Sequence, residues 1–293
     1  MSIAAWLIRQ AFDRDGVRTD AALRELVPDE VTGEVDVPYG TGPDERYDVW
    51  RPAGTGLPLV FWVHGGGWIA GDKAHLTSYA KILAARGFEV VTPNYTLAPV
   101  ARYPHALHQV GAALVAALAD GSRPFVLAGD SAGAHLAAQL GTALTDRAYA
   151  DALGVSMPAV GRPAGMLLHC GAYVPSMVSA SSGAGGWFVQ TVASAYLGTR
   201  DFDAPVFDEV DLTRHVTSDF PPTWISGGNA DPLTGQGLAF ASRLEALGVP
   251  VTPVFYAHDH EPRLNHEYQF DLTLADARAA LESSVAFLRS VTG

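Results

Sequence analysis

The chain has 293 residues, 48% of them hydrophobic and 17% charged, with a mean hydropathy of +0.12; that is enough apolar material for one large core and excludes a disordered or fibrous chain. A formal charge of −12 sets the surface against phosphate backbones and anionic lipid, so no nucleic-acid partner is expected. Cys170 is the only cysteine, which rules out an intrachain disulfide; its apolar run, residues 166–170, reads as a strand holding a buried, inert thiol. The first six residues lack the basic start and continuous apolar stretch of a signal peptide, and no segment approaches the roughly 18 apolar residues of a membrane span. A cytoplasmic protein is the expectation.

In chain order, residues 1–30 carry an amphipathic pattern (Ile3, Leu7, Ala11, then Leu23, Leu26, Val27) ahead of any strand. Residues 35–37 and 47–50 predict two short strands around a Gly/Pro turn, an antiparallel hairpin at one sheet edge. Residues 57–63 form an apolar run too short and too β-rich for a buried helix. Alternation follows: helix 76–85 stopping at Gly87, strand 88–92, helix 105–119, strand 125–128, helix 132–148 and strand 165–170. After an interruption over 174–218 come strand 223–226, helix 238–247, strand 251–256 and helix 272–291. Strands alternating with helices imply an α/β protein, a mostly parallel sheet with helices on both faces, in one domain spanning residues 1–293. Residues 1–30 and 174–218 stand outside the alternation and are the material for a small cap. Within the second, the small residues 180–186 before Trp187 and Phe188 read either as a mobile loop carrying large apolar side chains or as a plain surface connection.

Two motifs carry chemistry. Gly129-Asp130-Ser131-Ala132-Gly133 lies at a strand-to-helix junction and reads as a nucleophile elbow, its glycines sitting where a Cβ would collide with the neighbouring strand or helix. His64-Gly65-Gly66-Gly67-Trp68 follows an apolar strand, and its glycines leave backbone N–H groups free to face a developing negative charge. Gly66, Gly67 and the N–H of Ala132 are therefore the candidate oxyanion hole. Asp130 reads as structural, and His64 as a brace for its own loop.

With Asn94-Tyr95-Thr96-Leu97-Ala98-Pro99 and Asn229-Ala230-Asp231-Pro232-Leu233, these motifs make most of residues 57–290 resemble the hormone-sensitive-lipase-like esterases of the α/β-hydrolase superfamily. Two departures stand out: Thr96 replaces the family's Arg, and His266-Glu267-Tyr268 stands where the family has His-Gly-Phe. The Ser–Asp–His order of this fold makes Ser131 the nucleophile, Asp231 the orienting acid and His266 the base. Asp231 also suits a helix cap or a turn before Pro232. His258 and His260 share the same loop as His266, but their acidic neighbours suit plain exposure, and their spacing lacks a third metal ligand. Trp68, Trp187 and Phe188 are the candidate substrate pocket. The implied activity is cofactor-free hydrolysis of a small carboxylic ester through an acyl-enzyme, with no metal. Rivals are an arylformamidase-like amide hydrolase and a non-catalytic ligand receptor on the same fold.

Overall fold

The computed structural model describes residues 3–119, 121, 123–155, 160–178 and 183–293; Ala180, Ser181 and Ser182 of the small-residue run lie outside them. Eight strands form one sheet: β1 (Thr32–Pro38), β2 (Arg46–Arg51), β3 (Leu59–Val63), β4 (Glu89–Pro93), β5 (Phe125–Asp130), β6 (Gly165–His169), β7 (Thr223–Gly227) and β8 (Val251–Phe255). Their spatial order is β1-β2-β4-β3-β5-β6-β7-β8. The β1–β2 and β2–β4 pairs are antiparallel, and the remaining pairs are parallel. This is the mostly parallel sheet with an antiparallel edge that the element order predicted.

Burial explains the strand sequences. β3 to β7 are buried at every position and are correspondingly apolar, as strands covered on both faces must be. Edge strand β8 is half exposed and tolerates Pro253, whose missing N–H costs no ladder bond on the open side. Side chains alternate between two cores. Phe61, Val63, Leu127, Leu168 and Ile225 face helices α3 (His105–Ala117), α4 (Ser131–Thr145) and, later in the chain, a helix over Thr234–Ala246. Val60, Trp62, Val126, Leu167 and Trp224 face α2 (Thr77–Ala84) and the last helix, Ala275–Thr292.

Four local expectations are corrected. The helix expected over 132–148 breaks into α4 and α5 (Arg147–Ala152), because Asp146 turns extended and its carboxylate caps the second helix through the N–H groups of Ala148 and Tyr149. The run before Trp187 opens a helix, α6 (Gly183–Leu197), rather than a loop. Short helices α7 (Pro205–Glu209) and α8 (Leu212–His215) follow it; the Thr234–Ala246 helix, α9, begins four residues before its predicted start, and the final one is α10.

The fourth correction concerns the N-terminal helix, α1 (Ile3–Leu23), in whose first half the buried face is not the predicted one. Leu23 is buried as expected, but Ala5 and Ile8 are the buried residues at the start, whereas Leu7 is 55% exposed. Polar anchors fix that rotation. Arg9 donates to the carbonyls of Ile69 and Ala98, and buried Asp20 accepts from the Ser78 N–H at 2.7 Å, at the start of α2. Phe12 then packs on Phe188 of α6, with ring centroids 5.6 Å apart. The helices α1 and α6 thus meet above the C-terminal ends of the parallel strands, where ligands bind in open α/β sheets. Among the described residues no helix is long and apolar enough to cross a membrane.

Candidate active site

The site grows from the end of β5. There is no loop between strand and helix: Asp130 ends β5 and Ser131 starts α4 with φ of +51°, a left-handed conformation that costs a residue with a Cβ about 1–2 kcal/mol. Close packing holds the strain in place. A Cβ on Gly129 would lie 2.5 Å from the carbonyl carbon of Gly133, and one on Gly133 would lie 2.0 Å from the Val63 oxygen at the end of β3. Both flanking positions must therefore be bare.

The glycine loop is fastened to that turn. The Asp130 carboxylate accepts from the Trp62 indole at 2.7 Å and from the Gly65 N–H at 2.9 Å. Burial raises its pKa to about 8, the Glu267 carboxylate adds to the shift, and the two N–H donors oppose it. Gly66, Gly67 and Trp68 follow with φ of +107°, +59° and +60°; a Cβ on Gly66 would come within 2.2 Å of the Ala70 oxygen. His64 braces the loop. Its ring stacks on Tyr95 at 4.4 Å, its Nδ1 lies 2.8 Å from the Gly65 oxygen, and burial lowers its pKa to about 4, which keeps it neutral. Where the resembling family has an Arg, Thr96 is held instead by buried Gln109, which accepts from its N–H and donates to its hydroxyl.

The acid and the imidazole arrive from the next strand ends. Asn229, beyond β7, accepts from the Leu264 N–H and donates to the His260 carbonyl, both at 2.8 Å. The Ala230 N–H also donates to the Leu264 carbonyl. These bonds lock the loop after β8 against the Asp231 turn. Asp231 has a fully buried side chain whose Oδ1 takes the Leu233 N–H at 2.8 Å and lies 3.0 Å from His266 Nδ1. It is thus both turn-maker and imidazole partner. His266 Nε2 sits 2.9 Å from Ser131 Oγ, so with Nδ1–H donating to Asp231 the serine hydroxyl donates to Nε2. Burial opposes charge on this ring, but the neighbouring Cys170 sulfur and Asp231 carboxylate favour it, and the net effect lies well above the ordinary imidazole range. His260 is occupied elsewhere, 3.2 Å from Asp276 and against Tyr256; His258 is exposed.

Glu267 stands where the resembling family has glycine, and the motif reading gave it no role. Its φ of +60° explains why a glycine suits this position, and its Oε1 lies 3.8 Å from His266 Nε2. Phe270, three residues further on, packs edge-on against Tyr79 of α2 and anchors the segment.

Ser131 and His266 open onto a mostly apolar cavity of about 180 Å³. Trp68 and Phe188 line it, with Phe12, Val189, Val192 and Leu233. Trp187 does not: it is 54% exposed, because the inward face of α6 runs through Phe188, Val192 and Tyr196, and a helix turns about 100° per residue. Trp68 stacks on Tyr196 at 4.8 Å, which joins the glycine loop to α6. Gly67 and Ala132 border this cavity, whereas Gly66 borders a second one of mixed lining, with Phe12 and Phe270 beside His64, Asp72, Asp130 and Glu267.

Residues 60–261 match the family described as the α/β hydrolase fold. The chain is 28% identical to an esterase of Gibberella moniliformis, over 68% of this chain and 64% of that protein, so it spans just under two thirds of that relative's length. It is also 28% identical to carboxylesterase NlhH of Mycobacterium tuberculosis, over 94% of this chain and 89% of that one. Among solved structures, esterase B of Lactobacillus rhamnosis superposes with a TM-score of 0.85 at 22% identity, covering 99% of this chain and 95% of its own.

The bridge made by Asp130 has a direct test. Asp130→Asn keeps the shape but turns an amide NH2 toward one of two N–H donors, leaving a buried donor unpaired. Denaturant unfolding should show a loss of about 1–3 kcal/mol; an unchanged midpoint would mean that the bridge does not hold the loop.

Proposed function

Because the chain belongs to the α/β-hydrolase fold family, in its hormone-sensitive-lipase-like branch, we propose that it is a serine hydrolase cleaving small carboxylic esters through an acyl-enzyme on Ser131. The observation that carries this reading is the continuous line from Ser131 Oγ through His266 to the buried Asp231, with steps of 2.9 and 3.0 Å.

In this mechanism His266 Nε2 takes the Ser131 proton as Oγ attacks the ester carbonyl. Asp231 holds the ring in the Nδ1–H tautomer and stabilises the imidazolium that forms. The N–H groups of Gly66, Gly67 and Ala132 receive the oxyanion, and their positions are prepaid by the left-handed loop and the helix start. The imidazolium then gives its proton to the leaving alkoxide, and the same base activates a water to release the acid. Side chains, backbone N–H groups and water supply all of this chemistry. Residues 1–30 and 174–218 serve as the cap of a single domain, with Phe12, Phe188 and Val192 closing an apolar, water-poor space over the serine.

The base assignment is tested by two variants. His266→Ala should lower kcat by on the order of 10⁴-fold or more, while His260→Ala, which loses its contacts with Asp276 and Tyr256, should stay close to the parent. The reverse result would move the base. Only the unprotonated ring accepts the serine proton, so kcat/KM should fall as pH drops through the His266 pKa. The midpoint of that limb should lie above the ordinary value of 6.5; a midpoint below it would mean that burial outweighs the Cys170 and Asp231 contributions together.

Pocket shape generates a second expectation. The small volume favours short acyl chains, and Phe188→Ala should shift the optimum on a p-nitrophenyl ester series toward longer ones. Trp187→Ala should leave it unchanged. An N-formyl aromatic amine turned over faster than every ester in that series would reassign the chain as an amide hydrolase.

A further inference from the structure

The proposed reaction leaves one group beside the imidazole without a task. Cys170, the residue after β6, is 2% exposed, has φ of +41°, and its thiol lies beside the His266 ring and makes long contacts with the buried Gln269 amide, at 3.8 and 4.0 Å. Burial pushes the thiol up to about 11, which removes it as a rival nucleophile. Its sulfur, a carboxylate oxygen of Asp231 and a ring nitrogen of His266 all lie within 4.8 Å of one another. The second observation is Asp231 Oδ2, which is buried and has no hydrogen-bond partner, in a side chain with no exposed area.

We propose that Cys170, Asp231 and His266 form a binding site for a borderline divalent cation, Zn²⁺ above all, and that filling it switches the hydrolase off. One sulfur, one nitrogen and one oxygen donor make a set that zinc accepts and that calcium or magnesium does not. Donor pairs in a tetrahedral zinc site lie about 3.3–3.8 Å apart, given bonds of 2.0–2.3 Å. Closing from 4.8 Å therefore asks for a side-chain shift of about 1 Å. The cation would also give the orphaned Asp231 oxygen the partner that it lacks.

The inhibition follows from tautomer chemistry. A cation on Nδ1 uses the lone pair of that nitrogen, so the proton of the neutral ring moves from Nδ1 to Nε2. The thiol loses its own proton to solvent as the S–Zn bond forms. Nε2 then carries a hydrogen and has no lone pair for the Ser131 proton. Substrate still fits the cavity, so kcat falls while KM changes little. This half of the inference rests on the proposed role of His266; the metal site itself does not.

The test uses the full chain, freed of metal by EDTA and titrated with ZnCl2 while p-nitrophenyl acetate hydrolysis is followed. Turnover should fall to near zero and return with EDTA. Cys170→Ala and Cys170→Ser should need at least about tenfold more zinc than the parent for half inhibition, each measured against its own metal-free turnover. Equal sensitivity in the variants, or none in the parent, overturns the proposal. A second arm reads the site without activity. Ser131→Ala loaded with Co²⁺ should show a thiolate-to-cobalt charge-transfer band and the intense visible bands of four-coordinate cobalt, both absent when Cys170→Ser is added. Lack of the charge-transfer band sinks the site even if zinc inhibits, and a band without inhibition in the first arm sinks the switch and points to a failure of the His266 assignment.

Discussion

The buried carboxylate of Asp130 is the interaction on which the arrangement depends. It sits at the one backbone position where β5 becomes α4, and it ties that turn to β3 through Trp62 and to the glycine loop through Gly65. The nucleophile and the candidate oxyanion donors are therefore held by one group, and neither moves without the other. The left-handed Ser131 is tolerable only because of this over-determination. Gly129 and Gly133 complete it by letting strand, helix and the end of β3 approach to backbone contact.

A second set of contacts fixes the imidazole. The Asn229 side chain bonds to both ends of the segment 260–264, so the His266 loop is fastened to the turn that carries Asp231. Above both, α1 and α6 roof the cavity, and each is attached to the glycine loop: α1 by Arg9 on Ile69, α6 by Tyr196 on Trp68. The roof, the loop and the serine form one connected body. A change in the roof is thereby positioned to reach the chemistry through Trp68.

Much of this was legible in the chain. The alternation of short apolar runs with 3.6-period stretches revealed the parallel sheet, because strands buried on both faces must be apolar throughout. The motif order put Ser131 after its strand, Asp231 after the second strand beyond it and His266 after the last, and the structure brings those three side chains within hydrogen-bond reach. Rotational phase was not legible. Leu7 and Trp187 are as apolar as the residues that follow them, yet both face solvent while Ile8 and Phe188 turn inward. Polar anchors decided this: Arg9 and Asp20 orient α1 through backbone groups distant in sequence, and no periodicity rule registers a carbonyl 60 residues away. The break at Asp146 and the left-handed Glu267 are likewise settled by side-chain-to-backbone bonds and neighbouring strand ends rather than by propensity.

The central claim is that Ser131 carries the acyl group. Rapid mixing with excess p-nitrophenyl acetate, followed by acid quench and peptide mass mapping, tests it most directly. The account predicts a burst of p-nitrophenol near one equivalent per chain, with the acetyl group on the peptide containing Ser131 and nowhere else. An acetyl group on Cys170 or on a histidine, or turnover that never shows Ser131 modified under any quench time, would contradict it.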